Sequence, residues 1–270
     1  MRIFLVLFFL NTCVNELNSK TIRIMTLNLA RNYILNEHIN ELIEKERPDI
    51  IALQEAVHAK PGVTNHHGRI PPDGSRIVPE IAKKHGYYYS FGYAPNTPPE
   101  DIRYWGSAIL SKFKLLESTR VSLTQRRRAL VKVKIKPGKS VITCYSTHLP
   151  AGWYSGYGLS YAKVHQGYTR RKEIMHLIME KLGDRPSRTI LAGDFNSIPF
   201  LNEVDVILTK MKDAFMIKGK GHGATYPSFL PFARVDYIFT SSDIKILNSW
   251  VSDSYETLDH RAVMADIKID

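Results

Sequence analysis

Acid, amide and imidazole side chains recur where five strand-like segments of this chain end: Asn28, Glu55, His148, Asp194 with Asn196, and Asp259 with His260. Hard divalent cations such as magnesium select oxygen ligands, use few carboxylates and keep waters and substrate phosphate as their remaining ligands. A set of this kind is what metal-assisted hydrolysis of a phosphoester needs. A phosphodiester carries negative charge that repels hydroxide, so the reaction requires a cation, a placed base and donors aimed at developing charge. Neutral histidine clamps an anion poorly, but a carboxylate partner raises its pKa and holds it charged. Singly, each residue has a structural explanation, since carboxylates cap helices and histidines sit in cores and loops.

Short alternating segments must position these groups. Thr21 to Asn28 alternates in the manner of a strand buried on one face, and Ile34 to Glu46 reads as an amphipathic helix that stops before Pro48. Ile50 to Leu53 is an apolar run of the buried-strand kind, which delivers Gln54 and Glu55 to its C-terminal end. Further strands are expected at Tyr87 to Phe91, Ser107 to Leu110, Leu115 to Val121, Ala129 to Ile135, Val141 to Thr147, Thr189 to Leu191, Val235 to Thr240, Ile244 to Val251 and Ala262 to Ile267. Helices are expected at Ile77 to His85, Thr169 to Leu182 and around Leu201 to Met211. Pro137-Gly138 is a hairpin candidate, while Pro61 to Gly74 and Ala94 to Glu100 read as loops. No repeat or Ser/Gly linker divides the chain, so a single α/β sandwich with its site at strand ends is the economical reading.

The order and context of these blocks resemble the endonuclease/exonuclease/phosphatase superfamily, which includes pancreatic deoxyribonuclease, abasic-site endonucleases, neutral sphingomyelinases and inositol polyphosphate phosphatases. The resemblance runs from about Thr21 to Asp270. It is carried by Thr26-Leu27-Asn28, Ile51-Ala52-Leu53-Gln54-Glu55, Gly106 to Ser111, Ser146-Thr147-His148-Leu149, Gly193-Asp194-Phe195-Asn196, Arg234 to Phe239 and Asp259-His260. It implies a four-layer α/β/β/α sandwich of two mainly antiparallel sheets with helices outside. It also implies Glu55 as principal metal ligand, with Asn28 and Asp259 completing the metal side. Asp194 would orient or deprotonate the attacking water, with Asn196 positioning it. His260, kept protonated by Asp236, would stabilise phosphoryl charge, and His148 would contact the same phosphate or protonate the leaving oxygen. The implied cofactor is Mg²⁺, with Mn²⁺ equally suited to oxygen ligands. The chain departs from the family at Leu258, where serine usually precedes the Asp-His pair. Arg128 also falls on a recurring family position, but beside Arg126 and Arg127 it reads as part of a solvated charge run.

Composition sets the outer bounds. The 270 residues carry 37 Lys or Arg and 26 Asp or Glu, a formal charge of +11, and the 44% hydrophobic content excludes a disordered or collagen-like chain. Two cysteines exclude a disulfide scaffold, and Cys144 reads as core packing. Arg2 followed by the apolar run Ile3 to Leu10 reads as a signal peptide over residues 1–19, ahead of a catalytic domain at 20–270, which places the protein outside the cytoplasm, secreted or periplasmic. Lipid anchorage at Cys13 is disfavoured by the bulky Thr12 before it. Positive charge favours nucleic acid over a lipid headgroup as substrate, acted on by a monomer. The alternatives are a sphingomyelinase-type phospholipid phosphodiesterase, a small-molecule phosphatase and, more remotely, a non-catalytic binding protein on the same fold. Three features bear on that choice: the lysine strand Lys132, Lys134 and Lys136, the aromatic segment Trp153 to Tyr168, and the basic loops carrying His66, His67, Arg69, Arg76 and Arg103.

Overall fold

The computed structural model describes residues 20–30, 36–59, 75–92, 105–124, 128–151 and 161–269. The leader-like segment 1–19, most of the two basic loops, Arg126, Arg127 and the first part of the aromatic segment lie outside them.

Each of two sheets is built around one parallel strand pair. In the first, β1 (Thr21–Asn28) runs parallel to β2 (Ile50–Ala59), and Asn28 stands opposite Gln54. Beyond β1 lie β13 (Val263–Lys268) and β12 (Lys245–Val251); beyond β2 lie β5 (Trp105–Ser111) and β4 (Tyr88–Gly92), with the short β3 (Ser75–Arg76) pairing the end of β2. In the second, β8 (Ile142–His148) runs parallel to β9 (Thr189–Asp194), with His148 opposite Asp194. It is flanked by β7 (Arg128–Ile135) and β6 (Leu115–Thr124) on one side and by β11 (Asp236–Ser241) and β10 (Met211–Asp213) on the other. All other strand pairings among the described residues are antiparallel.

Alternation along a strand decides which face each side chain takes. Ile22, Ile24, Ile50, Ala52, Val131, Val133, Cys144, Ile190, Ala192 and Ile238 fill the space between the sheets. Met25, Leu27, Ile51 and Leu53 face outward onto α1 (Glu37–Glu46) and α2 (Ile77–His85) through Ile39, Leu42, Ile43, Ile77 and Ile81. On the far side, Leu130, Tyr145, Leu191, Tyr237 and Phe239 meet Ile174, Met175 and Ile178 of α3 (Tyr161–Leu182). Three cores between four layers follow, and each buried Leu or Ile contributes about 1.5–3 kcal/mol. The sandwich is the α/β/β/α architecture anticipated from sequence.

Local chemistry sets the element ends. Asn36 caps α1 by accepting the Ile39 N–H at 2.9 Å, and Arg47 closes the helix in the left-handed region just before Pro48. The helix anticipated around Leu201 to Met211 is instead broken. A 3₁₀ turn at Pro199–Leu201 ends where Asn202 turns left-handed, and the single-turn α4 (Asp205–Leu208) precedes β10. Asp213 then caps α5 (Ala214–Lys218) by accepting the N–H groups of Phe215 and Met216. Since α3 begins at Tyr161, Tyr168 belongs to a helix and not to a loop. On β7, Lys132 and Lys134 both pair with Glu117, at 3.3 and 2.6 Å, so much of the lysine strand is already matched by charge. Among the described residues no helix is long and apolar enough to cross a membrane.

Candidate active site

The residues that build the intersheet core lead, two positions at a time, into the polar cluster. On β1 the series Ile22, Ile24, Thr26 ends in Asn28; on β8, Ile142, Cys144, Ser146 ends in His148; on β9, Ile190 and Ala192 end in Asp194; on β11, Ile238 lies two residues from Asp236. A buried polar layer sits just beneath, with Thr26 donating to Gln54 at 3.2 Å and Gln54 donating across to Ser146 at 3.3 Å. Close strand contact is enforced at Gly193, where a Cβ would lie 2.0 Å from the Thr147 carbonyl oxygen. No side chain fits there.

Glu55 reaches the cleft by a different device. Alternation alone would send it outward with Ile51 and Leu53. The β2–β5 register slips between Leu53 and Ala56, and Glu55 sits in that bulge with φ 49°. Such bulges re-aim a side chain, and a left-handed non-glycine residue is a strained position of the kind found at functional sites. The strand therefore does not end at Glu55, as its apolar run suggests, but continues to Ala59.

Seven of the eight residues anticipated from sequence line one open cleft: Asn28, Glu55, His148, Asp194, Asn196, Asp259 and His260. The eighth, Asp236, lies behind His260, whose Nδ1 is 2.8 Å from its Oδ2. Asp194 is the hub. Its Oδ1 accepts the Asn196 backbone N–H at 2.8 Å, and its Oδ2 accepts from Asn28 Nδ2 at 3.0 Å and Asn196 Nδ2 at 3.2 Å. The Nε2 atoms of His148 and His260 stand 3.4 and 3.9 Å from the same oxygen. Asn28 turns its amide oxygen to the Ala30 N–H at 2.9 Å, so its nitrogen is the end that meets Asp194.

Burial and charge set the protonation states. Burial, reinforced by the nearby charge of Asp236, pushes Asp194 up to about 7 against the opposing pull of His260, Asn196 and Asn28. Burial alone would lower His260, but the charge and hydrogen bond of Asp236, followed by Asp194 and Asp259, outweigh it and hold the imidazole at about 10. His260 is a cation at neutral pH. At His148, Arg128 Nη1 lies 2.9 Å from Nδ1. A guanidinium only donates, so Nδ1 accepts, while Nε2 faces Asn196 Nδ2 at 3.1 Å and Asp194 Oδ2 at 3.4 Å.

Sequence reasoning set Arg128 aside and did not single out Trp105 or Tyr226, yet all three line the cleft. Arg128 is no member of a solvated run: its guanidinium lies 5.2 Å from the Trp105 ring centroid as well as against His148. The available signal was the Pro137-Gly138 hairpin, because pairing Val131 with Ser146 brings the start of β7 beside the end of β8. Tyr226 packs 4.9 Å from His260. Behind the wall, fully buried Arg171 donates to Glu203 at 2.6 Å and to the Pro150 carbonyl at 3.4 Å, fixing the chain that leaves His148. Leu258, where the family pattern has serine, is buried in the core beneath α1 and α2, while the next residue, Asp259, is exposed to the cleft.

Residues 25–260 match the model of the Endonuclease/Exonuclease/phosphatase family. Among solved structures, an endonuclease/exonuclease/phosphatase from Beutenbergia cavernae aligns with a TM-score of 0.67 at 19% identity, covering 93% of this chain and 72% of that one. D. rerio TDP2 complexed with single strand DNA product gives 0.64 at 18% identity, over 92% and 99% of the two chains. A Bacteroides thetaiotaomicron mannosyl-6-phosphatase gives 0.65 at 15% identity, over 91% and 99%. No curated protein matches the sequence. At these identities the likeness to solved structures shows a shared fold.

Proposed function

The chain belongs to the endonuclease/exonuclease/phosphatase family of phosphoester hydrolases, and from that premise we propose that it is a divalent-metal-dependent phosphodiesterase acting on nucleic acid. One observation carries the reading: a buried Asp194 held by Asn28 and Asn196, His260 backed by Asp236, and two further carboxylates, Glu55 and Asp259, converge on one cleft.

The donor set fits a hard cation. Glu55 and Asp259 offer carboxylate oxygens, and magnesium is held by one or two carboxylates with waters and substrate phosphate. These two residues, with Asn28 beside them, would hold the ion, which supplies Lewis-acid stabilisation of phosphoryl charge. Asp194, Asp236 and His260 have ligand atoms within 4.8 Å of one another. We assign them to proton handling instead, because Asp236 already engages His260 Nδ1 at 2.8 Å and Asp194 Oδ2 already accepts from Asn28 and Asn196. Asp194 would take the proton of the attacking water, its pKa being matched to neutral pH. Asn196 and Asn28 fix its carboxylate orientation. His260 would donate to a phosphoryl oxygen as charge develops there, with Asp236 as its positioning residue. His148, held at Nδ1 by Arg128, would serve the phosphate or the leaving oxygen.

The chain's +11 charge and the Arg128–Trp105 wall support a polynucleotide substrate. The test is plasmid nicking by the chain from Lys20 onward, in Mg²⁺ and in EDTA, with Asp194→Ala alongside. Nicking that needs both the metal and Asp194 is the expected result; none from folded protein overturns the nucleic-acid assignment. A second reading, hydrolysis of phospholipid headgroups, is favoured by the exposed Phe229, Leu230 and Phe232, which follow the cleft residue Tyr226 in the chain.

A further inference from the structure

From Ala214 to Ala233 the chain carries no Asp or Glu and two lysines. Large apolar side chains in this stretch stand in solvent: Met216, Ile217, Phe229, Leu230 and Phe232 are 53–80% exposed. Lys218 and Lys220 are exposed in the same stretch. Solubility disfavours such a grouping, and exposed apolar clusters mark surfaces that meet something else.

The tip is held out by hydrogen bonds to its own backbone. Tyr226 and Ala233 exchange backbone hydrogen bonds at 3.0 Å each, Leu230 N–H donates to the Pro227 carbonyl at 3.2 Å, and Arg261 Nε clasps the Ser228 carbonyl at 2.7 Å. The α5 end of the stretch is tied to the hairpin stem, since the Phe215 ring abuts Gly223 and lies 5.7 Å from the Arg234 guanidinium. Local hydrogen bonding therefore presents the apolar side chains outward instead of letting them fold back.

We propose that this surface docks the protein on a bilayer containing anionic lipid, with Phe229, Leu230 and Phe232 entering the interface and Lys218 and Lys220 meeting headgroup phosphates. Apolar side chains in a lysine-bearing stretch without acids have the composition of an interfacial anchor, and Asp259, whose carbonyl accepts the Ser228 N–H at 2.7 Å, lines the cleft. Base stacking is the rival occupancy for Phe229 and Phe232. The aliphatic members Met216, Ile217 and Leu230 offer no ring face for stacking, which favours lipid. Tyr226, at the base of the tip, touches His260, so docking would hold the cleft near the surface. The inference does not depend on which ester the cleft cleaves.

The experiment is co-flotation of the full chain with phosphatidylcholine vesicles, with and without phosphatidylglycerol, comparing wild type, Phe229→Ser/Phe232→Ser and Lys218→Glu/Lys220→Glu. All three share the same N-terminus, so differences report on the surface itself. Wild type should bind the anionic vesicles at least about tenfold more tightly than the serine variant, and the charge-reversed variant should lose its preference for phosphatidylglycerol. Tryptophan emission of Phe229→Trp should shift blue on those vesicles and stay unchanged with oligo(dT). Equal vesicle binding by wild type and the serine variant overturns the proposal. So does a Phe229→Trp response to oligo(dT) alone. Cleavage of bis(p-nitrophenyl) phosphate in Mg²⁺ is read in parallel: the serine variant should keep it, which shows the fold intact. Absence of cleavage by wild type would count against the hydrolase reading and leave the vesicle result standing.

Discussion

The two sheets meet the cleft with the same device and different results. Each presents the C-terminal end of its one parallel pair, Asn28 with β2 in the first sheet and His148 with Asp194 in the second. The second-sheet half is closed: Asp194, Asp236 and His148 are buried in a network of short hydrogen bonds. The first-sheet half is open: Glu55 is partly exposed on a strained bulge and Asp259 faces solvent. A desolvated, crowded half is suited to holding protons at unusual pKa values, whereas a hydrated pair of carboxylates is suited to a cation that keeps its waters. His260 joins them, leaving the first sheet one residue from Asp259 and reaching Asp236 of the second.

That contrast breaks most sharply at Asp194. Asp194→Ala should lower turnover by at least about 10³-fold, while Asp194→Asn should melt higher than wild type in EDTA. The sign follows from its raised pKa: the folded state keeps a proton that the unfolded chain has lost, so wild-type stability falls as pH rises from about 4 to about 7. The asparagine advantage should grow across that window and then level off, as melting curves against pH would show. A lower melting temperature for Asp194→Asn at pH 8 would refute the closed-half description.

Asp236→Asn should come next, with about 10²–10³-fold lost in kcat and a smaller change in KM. Without its partner, buried His260 should titrate lower than in wild type, which NMR titration of the ring would report. Activity equal to wild type across pH 6 to 8, about the imidazole range, would remove the pair from the mechanism. His260 also stabilises the fold below its unfolded pKa, a contribution lost as pH rises toward about 10.

The open half should answer to metal concentration. Glu55→Gln should raise the half-saturating Mg²⁺ at least about tenfold, with activity recovered in excess ion, a recovery that Asp194→Ala should not show. Rescue of both or of neither would erase the distinction between the halves. Arg128→Ala should have the smallest effect, about tenfold in kcat/KM, the worth of one charged hydrogen bond; Arg128→Lys should restore it only in part, because lysine lacks the planar fork.

Much of this was legible in the sequence because strand alternation is local. Once Ile190 and Ala192 are placed in the intersheet core, Asp194 must share their face, and the same holds for Asn28 after Ile24 and His148 after Cys144. Glu55 was legible as a site residue by its family context but not by its geometry, since a bulge with φ 49° leaves no mark on the alternation of Ile51 and Leu53. Arg128 was misread because its neighbours in sequence suggested solvent, while its neighbours in space are His148 and Trp105. The helix around Leu201 to Met211 failed at Asn202, where a left-handed turn overrides an apolar pattern.

Residue identity, parity and order were determined by the sequence alone: which groups are present, which face of each strand they take, and that they gather at one end of a sandwich. Tertiary structure decided their chemistry. The Asn28–Asp194 hydrogen bond joins residues 166 positions apart, and the protonation of Asp194 and His260 depends on burial and charges gathered from both sheets. Alternation is a property of a few neighbouring bonds, whereas a pKa is a property of everything that excludes water and places charge within a few ångströms.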